Sequence, residues 1–243
     1  MHFFGDYHLH TNYSDGRATV EDMVEAAHLK GLLEVGIADH GPGNIGTGVK
    51  DSNTYLQIKE DLKRLHEEYP DIKKKVGAEA DIVSLDGKID VGKEIIKELD
   101  YLLVGLHPYV YPADLSTAWN YVIGNQLVKI NKGLKEKVKN INTKTLLDAL
   151  GRYDVLAITH PGLKMEIDFS ELAKSCAKRN TALEINTGHT FPGIKEVLAV
   201  ANSGVNFIVN SDAHYPETVG EFEYGAYVLK KAGIPVDQVL NAT

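Results

Sequence analysis

Histidines and carboxylates recur near the ends of short apolar runs in this chain, and several of them are spaced two residues apart. They are His8, His10, His40, Glu79, His107, His160, Asp212 and His214. Side chains two residues apart in a strand turn to the same face, so a pair such as His8 and His10 can share one ion. Imidazole with carboxylate suits zinc, manganese and iron. The spacing therefore predicts a metal site with nitrogen and oxygen ligands.

Seven apolar runs of strand length carry these residues, and helical patterns separate most of them. The runs are FFGDYHLH, LEVGIADH, KKVGAEAD, YLLVGLH, VLAITH, TALEIN and NFIVNSDAH. Strands that alternate with helices pair in parallel, and seven units suffice to close a barrel. The carboxyl ends of such strands form the functional face. We therefore predict an α/β barrel, with a single domain over 1–243, whose mouth gathers these side chains.

Three connections depart from the regular pattern. Leu85-Asp86-Gly87-Lys88 predicts a tight hairpin turn rather than a helix entry. The long spacing between Ala113 and Gly151 predicts an inserted helical pair over one rim. Gly41, Gly43 and Gly46 match a dinucleotide-binding spacing, but no helical pattern opens at Gly46 and the residues up to Asn53 stay loop-like, so we interpret these glycines either as part of a lid over the mouth or as an ordinary loop.

Composition limits the partners of the chain. A formal charge of −8 disfavours a protein that coats nucleic acid, although a short nucleotide stays open as substrate, and we interpret the basic segment 129–144 as a solvated helix face. Cys176 is the one cysteine and falls on an apolar helical stripe, which predicts buried filler. Neither a secretion signal nor a membrane-spanning run is evident, so we expect a cytoplasmic protein without membrane contact. Monomer and homo-oligomer both stay open.

Further polar residues lie around the predicted mouth. Asp6 shares a face with His8 one step deeper, where we expect it to orient an imidazole. Arg17 and Lys164 follow predicted strand ends and are candidates to bind phosphate, with a solvated role as the alternative. His189 follows a strand at the mouth and is either a substrate contact or a loop residue. His28 and His66 lie on amphipathic helices and are interpreted as surface residues.

The ordered motifs of this chain resemble those of the PHP family, named for polymerase and histidinol phosphatase. The matching segments are Asp6-Tyr7-His8-Leu9-His10-Thr11, Ser14-Asp15-Gly16, Asp39-His40-Gly41-Pro42, Gly77-Ala78-Glu79, Gly105-Leu106-His107, Thr159-His160-Pro161-Gly162 and Ser211-Asp212-Ala213-His214. The resemblance covers nearly the whole chain, and Asp-His-Gly-Pro with Gly-Glu-Phe-Glu at 220–223 is most similar to the small stand-alone bacterial phosphatases. It implies a distorted seven-stranded (β/α) barrel, similar to a TIM barrel, that acts on phosphate esters.

The same resemblance implies three divalent metal ions, zinc first, with manganese or iron as alternatives. By resemblance, His8, His10, Glu79 and Asp212 surround the first ion, and Glu79 bridges to a second ion held with His107 and His160. Asp15, His40 and His214 hold the third. Some relatives have histidine where this chain has Asp15, which leaves the preference of the third ion open.

Electrostatics favours a phosphorylated small molecule as substrate. Three divalent ions bring about +6, and Glu79, Asp15 and Asp212 return about −3, so that even a bridging hydroxide leaves about +2. That charge matches a phosphate monoester dianion better than a neutral amide. The expected nucleophile is a metal-bound hydroxide. Asp212 and His214 are the candidates to protonate the leaving group, although metal ligation competes for their lone pairs.

Two other functions are compatible with parts of this pattern. An amidohydrolase-like enzyme also uses a barrel with His-x-His on its first strand, but many such enzymes have a metal-bridging lysine, and no lysine ends any of these runs. A non-catalytic metal-binding regulatory module is the other alternative, and the intact set of nine matching residues argues against it. The physiological substrate stays open among histidinol phosphate, a sugar phosphate and a nucleotide.

Overall fold

The computed structural model describes residues 1–128 and 130–243, in which strands alternate with helices; Lys129, the first residue of the predicted basic segment, lies outside the described residues. The strands are β1 (Gly5–Leu9), β2 (Glu34–Ile37), β3 (Lys73–Val76), β4 (Glu79–Asp81), β5 (Leu103–Gly105), β6 (Ala157–Ile158), β7 (Ala182–Asn186) and β8 (Phe207–Asn210). The α-helices are α1 (Val20–Leu29), α2 (Thr54–Arg64), α3 (Lys93–Ile96), α4 (Leu115–Thr117), α5 (Gly124–Leu127), α6 (Lys135–Arg152), α7 (Phe169–Arg179), α8 (Ile194–Val200) and α9 (Glu223–Ala232). A π-helical turn, Ala118–Ile123, joins α4 to α5.

The strands form two parallel sheets, one in the order β1-β2-β3 and one in the order β4-β5-β6-β7-β8. Seven predicted runs become eight strands because the third run is divided. Gly77 and Ala78 separate β3, which pairs with β2, from β4, which pairs with β5. The predicted α/β barrel class is confirmed, with its third strand split where it changes partner.

Two seams join the sheets, and candidate site residues lie at both. His40 and Glu79 form a parallel bridge, with the Gly41 N–H donating to the Glu79 carbonyl oxygen at 2.9 Å. At the other seam, Leu9 and Ala213 form a parallel bridge, supported by the His10 N–H and the Ala213 carbonyl oxygen at 2.9 Å. Chain segments that are distant in sequence therefore meet at the ends of β1, β2, β4 and β8.

The predicted helical stripes pack on the outside of the strands. Thr19 caps α1: its hydroxyl oxygen accepts the Asp22 N–H, and the Asp22 carboxylate accepts the Thr19 N–H. Cys176 on α7 is fully buried, as predicted, and burial raises the pKa of its thiol to about 12. Among the described helices, none combines the length and the apolar character needed to span a bilayer.

The irregular connections bring further segments to the rim. The predicted hairpin is present: Ile82 and Ile89 form an antiparallel bridge, and Gly87 adopts a left-handed φ of 77°. The predicted insertion consists of the α4–α5 segment and α6. The glycine loop after β2 opens no helix before Thr54, and it is tied to the segment after β5 by the antiparallel bridge between Asn44 and Val110.

Candidate metal centre

Glu79 on β4 lies at the centre of the cluster, and its side chain is fully buried. Its Oε2 lies 2.8 Å from His40 Nδ1, 3.3 Å from His8 Nε2 and 3.7 Å from His10 Nε2, and its Oε1 lies 3.0 Å from His160 Nε2 and 3.6 Å from His107 Nε2. Five imidazoles from four different strand ends therefore point at one carboxylate.

Asp212 and Asp15 extend the cluster on either side of His10. Asp212 Oδ1 lies 3.1 Å from His10 Nε2 and 3.6 Å from His8 Nε2. Asp15 Oδ2 lies 3.3 Å from His214 Nε2, and Asp15 Oδ1 lies 3.8 Å from His10 Nδ1. The structure thus brings together all nine residues proposed as metal ligands from the sequence.

The donor atoms fit divalent cations in spacing and in chemistry. Three groups have ligand atoms within 4.8 Å of one another: His10, Asp15, His40 and His214; His8, His10 and Glu79; and His40, Glu79 and His107. Two donors on one tetrahedral zinc ion lie about 3.3 Å apart, close to the separations seen here. Among the described residues, both Glu79 oxygens and the Nε2 atoms of His8 and His10 are buried without a hydrogen-bond partner. A cation would satisfy these atoms.

Two carboxylates hold imidazoles from behind. Glu184 Oε1 accepts a 2.7 Å hydrogen bond from His8 Nδ1, and Asp81 accepts one from His107 Nδ1. Each bond leaves Nε2 of the histidine pointed at Glu79, as in metal sites where an outer carboxylate orients a histidine ligand. The expectation that Asp6 does this is wrong. Its oxygens accept the N–H groups of Ser211 at 3.1 Å and Gly220 at 3.0 Å.

Asp39, the residue before His40, fixes the loop between His10 and Asp15. Its Oδ1 accepts the Thr11 N–H at 2.7 Å, and its Oδ2 accepts the Thr11 hydroxyl at 2.7 Å. The Ser14 hydroxyl also donates to Oδ1. Asp15 therefore sits on a loop that the neighbouring strand holds in place.

The ionisation of the cluster shows strong coupling between its acids and bases. Burial would lower the pKa of His8, but the carboxylates of Glu184, Asp212 and Glu79 raise it well above 6.5. Burial would raise the pKa of Glu79, but His8, His40 and His107 hold it well below 4.5. When no cation is bound, the ionised carboxylates therefore favour the protonated form of His8. Because metal binding displaces such protons, this arrangement suits a cation site.

Two of the clustered residues have strained backbones. Asp212 has a backbone φ of 55° and His160 has a backbone φ of 27°, and residues other than glycine rarely adopt positive φ values. Such conformations cost about 1–3 kcal/mol each and concentrate at functional sites. The Asn186 amide donates to Asp212 Oδ2 at 2.9 Å, which helps to hold the strained residue.

The three candidate substrate contacts are all exposed. His189 Nε2 is 3.4 Å from Asp212 Oδ2, and its side chain is 44% exposed. The N–H of Arg17 donates to the His214 carbonyl oxygen at 2.8 Å, which places Arg17 on the rim. Lys164 has a left-handed φ of 60° and lines a cavity of about 400 Å³ with Lys132 and Lys135.

A second cavity, of about 440 Å³, adjoins the cluster at Asp212 and His214. Its other lining residues are Thr187, Gly188, Ser211, Tyr215, Thr218, Glu221, Glu223 and Tyr224. Because the cavity shares Asp212 and His214 with the cluster, a molecule bound at the cluster can extend into it.

Comparison with known proteins agrees with this geometry. Residues 6–188 match the model of the PHP domain. The chain belongs to the PHP family. A PHP relative from Shewanella frigidimarina, named "Probable phosphatase", is 29% identical over 251 residues, which cover 99% of this chain and 90% of that protein. The DNA polymerase/3′-5′ exonuclease PolX of Bacillus subtilis is 27% identical over 98% of this chain but only 39% of its own length.

The solved structures add the likeness of fold. Histidinol phosphate phosphatase of Lactococcus lactis, crystallised with zinc, L-histidinol and phosphate, superposes with a TM-score of 0.62 at 16% identity. The match covers 95% of this PHP chain and 94% of that one. At the level of the family, the predicted enzyme class is confirmed: a metal-dependent hydrolase of phosphoester bonds.

Sequence reasoning missed the residues that orient the candidate ligands. Asp81 lies two residues after Glu79, and Glu184 lies two residues before Asn186, but the sequence analysis assigned no role to either acid. The signal available was the alternation itself, because Asp81 shares a strand face with Glu79 and Glu184 shares one with Asn186. A buried carboxylate one step from a ligand position is a candidate to orient an imidazole.

Proposed function

We propose that this chain hydrolyses phosphate monoesters at a centre of three divalent metal ions held by the nine clustered residues. The observation that carries the proposal is the convergence of five imidazoles on the buried carboxylate of Glu79. Bound zinc, manganese or iron would supply an activated water at neutral pH and would neutralise negative charge on the phosphoryl group. Residues of the chain would hold the ions, bind the phosphate, orient the ester and protonate the leaving oxygen.

The distances to Glu79 and Asp212 suggest how the ions would be shared. His8 and His10 with Glu79 and Asp212 would hold one ion, and Glu79 with His107 and His160 a second. Asp15, His40 and His214 would hold the third, with His10 near enough to contribute. Because three of the nine proposed ligands are carboxylates, three divalent ions leave an excess positive charge that favours a dianionic substrate.

Residues around the ions would bind and orient the substrate. Arg17 and Lys164 are proposed to bind phosphate oxygens from the rim, and His189, beside Asp212, to contact the ester. Asp212 or His214 would protonate the leaving oxygen only through an atom that does not hold an ion, because both are also proposed as ligands. His214 Nδ1 donates to the Asp212 carbonyl oxygen at 2.9 Å, so its Nε2 is the atom directed toward Asp15.

The cavity beside Asp212 is proposed to hold the leaving group. Apart from Asp212 and His214, the charged residues that line it are Glu221 and Glu223, and two tyrosines flank them. This lining disfavours a second phosphate or a carboxylate and accepts an uncharged polar or a cationic group. A phosphorylated small molecule with an alcohol or amine in its leaving group fits it best.

We also propose that residues 1–243 act as one domain. Most of the buried apolar side chains form one cluster that runs from Phe3 to Val239, which supports this proposal. The cytoplasmic location and the choice between monomer and homo-oligomer remain predictions.

The proposed function is tested by measuring metal content and phosphate release together. Elemental analysis of the purified chain should find about three divalent ions, and a panel of monoesters and diesters should be assayed before and after chelation. We expect monoester hydrolysis that chelation abolishes and added zinc or manganese restores. Undiminished turnover after complete removal of metal contradicts the proposal.

Variants locate the activity in the cluster. Glu79→Gln and the double variant His8→Ala, His10→Ala should lose at least about a hundredfold in kcat/KM, because each removes shared ligands. His66→Ala, at an exposed position after α2, is the control and should match the wild type. A double variant as active as the wild type means that the reaction occurs elsewhere.

A further inference from the structure

Asp90 ends the hairpin after β4, and its carboxylate joins two segments that are distant in sequence. Oδ1 accepts the N–H of Asp81 at 2.9 Å, and Oδ2 accepts the N–H of Gly43 at 2.7 Å. The N–H of Asp90 in turn donates to the Asp81 carbonyl oxygen at 3.0 Å. One side chain therefore ties β4 and its hairpin to the loop after β2.

The loop after β2 is shaped to receive this carboxylate. A Cβ atom placed on Gly41 would lie 2.1 Å from Asp90 Oδ2, and one placed on Gly43 would lie 2.9 Å from Asp90 Cβ. Neither glycine has a positive φ, so their lack of a side chain matters for space rather than for backbone conformation. The close approach of the Asp90 carboxylate requires glycine at position 41.

Both segments that Asp90 holds lead directly to candidate ligands. His40 immediately precedes Gly41, and its Nδ1 lies 2.8 Å from Glu79 Oε2. On the other side, Asp81 orients His107, whose Nε2 lies 3.6 Å from Glu79 Oε1. His40, Glu79 and His107 form one of the three groups able to hold an ion.

We propose that Asp90 is a positioning residue that fixes His40 and, through Asp81, His107 beside Glu79, the carboxylate that both imidazoles approach. The inference rests on the proposed metal-dependent function and assigns Asp90 no contact with metal or substrate. A carboxylate suits this role because both of its oxygens accept backbone N–H groups. An asparagine keeps one acceptor but turns its amide toward the second N–H.

The test is the zinc affinity of the full-length chain, measured by competition with a chromophoric chelator, with ions per chain counted by elemental analysis. In Asp90→Ala we expect the ions held by His40 and by His107 to be released at a free zinc concentration about ten- to a hundredfold higher than in the wild type. The ion held by His8 and His10 should be retained as in the wild type. Asp90→Asn should show a smaller shift of the same ions.

Two controls separate positioning from general destabilisation. Lys88→Ala changes an exposed residue of the same hairpin, and Leu172→Ala removes a fully buried side chain of α7 outside the cluster. Both should keep the zinc affinity of the wild type. Thermal unfolding in chelator shows whether each variant is folded, and Asp90→Asn decides the matter if Asp90→Ala does not fold.

The outcomes are distinguishable. A wild-type chain that binds no divalent ion overturns the proposed function itself. A wild type that binds zinc, with Asp90 variants that retain every ion equally well, overturns only the role of Asp90. Equal loss of zinc from the Asp90 variants and Leu172→Ala also overturns it, because metal loss would then follow stability alone.

Discussion

Glu184 Oε1 lies 2.7 Å from His8 Nδ1, and both side chains are fully buried. The same oxygen accepts the Asn210 amide at 2.9 Å, while Oε2 accepts the His160 N–H at 2.8 Å and the Asn186 amide at 3.1 Å. All four partners donate, so the carboxylate is matched on both oxygens. Glu184 thus holds two strand ends that carry candidate ligands, His8 on β1 and His160 after β6.

Glu184→Gln should weaken metal binding although glutamine has nearly the same shape. Its amide nitrogen must face two donors in place of an oxygen, so either the pair of His8 and Asn210 or the pair of His160 and Asn186 loses an acceptor. We expect about a ten- to hundredfold loss of zinc affinity, as is usual when a carboxylate that orients a metal-binding histidine is lost. Chelator competition measures it.

The matched control for this prediction is Glu171→Gln, an exposed glutamate in the first turn of α7. It should bind zinc as the wild type does. Wild-type affinity in Glu184→Gln would show that the bond between Glu184 and His8 does not support the ligand geometry.

The metal-free chain should lose stability as the pH rises above neutrality. Burial would lower the pKa of His107 and His214, but Asp81 and Asp15 respectively raise each to about 9 from 6.5. A base with a raised folded-state pKa contributes stability that is complete below its ordinary value and is lost as the pH passes the folded-state value. The loss should therefore fall between about pH 6.5 and 9.

At the acid end the sign is opposite. Burial would raise the pKa of Asp15, but the hydrogen bond from His214 and the nearby His10 lower it to about 2 from 3.8. Its contribution is present above the ordinary value and is lost as the pH falls toward 2. Thermal unfolding of the chelated chain across this range checks both limbs. With zinc bound, stability should be retained above pH 6.5, because binding requires deprotonated imidazole.

An unfolding midpoint of the chelated chain that rises between about pH 6.5 and 9 contradicts this prediction. The zinc-loaded chain at each pH is the control, because any effect of pH on distant surface groups appears in both forms.

Glu221 and Glu223, which line the cavity beside Asp212, should determine which leaving groups the enzyme accepts. With the double variant Glu221→Gln, Glu223→Gln, we expect KM to rise for monoesters with a cationic leaving group and to change little for neutral ones. A screened ion pair contributes about 1 kcal/mol or less, so the expected rise is about fivefold. Glu217→Gln, an exposed glutamate just before Thr218, is the control. A parallel change for both classes of substrate counts against the cavity as the leaving-group site.

The sequence predicted the architecture and the gathering of ligands because both follow from short-range patterns. Alternating strands and helices fix parallel pairing, and parallel pairing places every strand's carboxyl end at one mouth. His8 and His10 point the same way because of strand alternation alone. The division of the third strand at Gly77 was not predictable, because it depends on which neighbour each half meets.

The supporting carboxylates depend on pairings that no local pattern specifies. Asp6 and Glu184 are both acids on strands near histidines, and the sequence favoured Asp6 because it lies two residues from His8. The structure uses Glu184, which is 176 residues away, because its carboxylate on β7 reaches His8 Nδ1 while Asp6 accepts the Ser211 and Gly220 N–H groups. Contacts of this kind arise only from the tertiary arrangement of the strands.

Tyr101 packs closely against two glycines, Gly36 in β2 and Gly77 between β3 and β4. Its hydroxyl donates to the Tyr7 carbonyl oxygen at 2.9 Å. A Cβ on Gly36 would lie 2.2 Å from the Tyr101 hydroxyl oxygen, whereas a Cβ on Gly77 would lie 2.3 Å from ring carbon Cζ. The two glycines therefore accommodate different atoms of one side chain.

This difference predicts that the energetic cost of Gly36→Ala, but not that of Gly77→Ala, depends on the Tyr101 hydroxyl. Gly36→Ala and Gly77→Ala should each lower the free energy of unfolding by about 1–3 kcal/mol through overpacking. Tyr101→Phe should cost about 1 kcal/mol, because the Tyr7 carbonyl loses its donor. In the Tyr101→Phe background the nearest atom to a Cβ on Gly36 becomes the ring carbon at 2.8 Å, so Gly36→Ala should cost less there.

Denaturant unfolding of the metal-loaded single and double variants measures the coupling as a double-mutant cycle. We expect a coupling energy of about 0.5 kcal/mol or more between Gly36→Ala and Tyr101→Phe. Gly77→Ala, which meets ring carbons that phenylalanine retains, should show none and is the matched control. Equal costs of Gly36→Ala in both backgrounds would mean that β2 shifts to admit the methyl group, so that the tyrosine hydroxyl does not set the spacing between Tyr101 and β2.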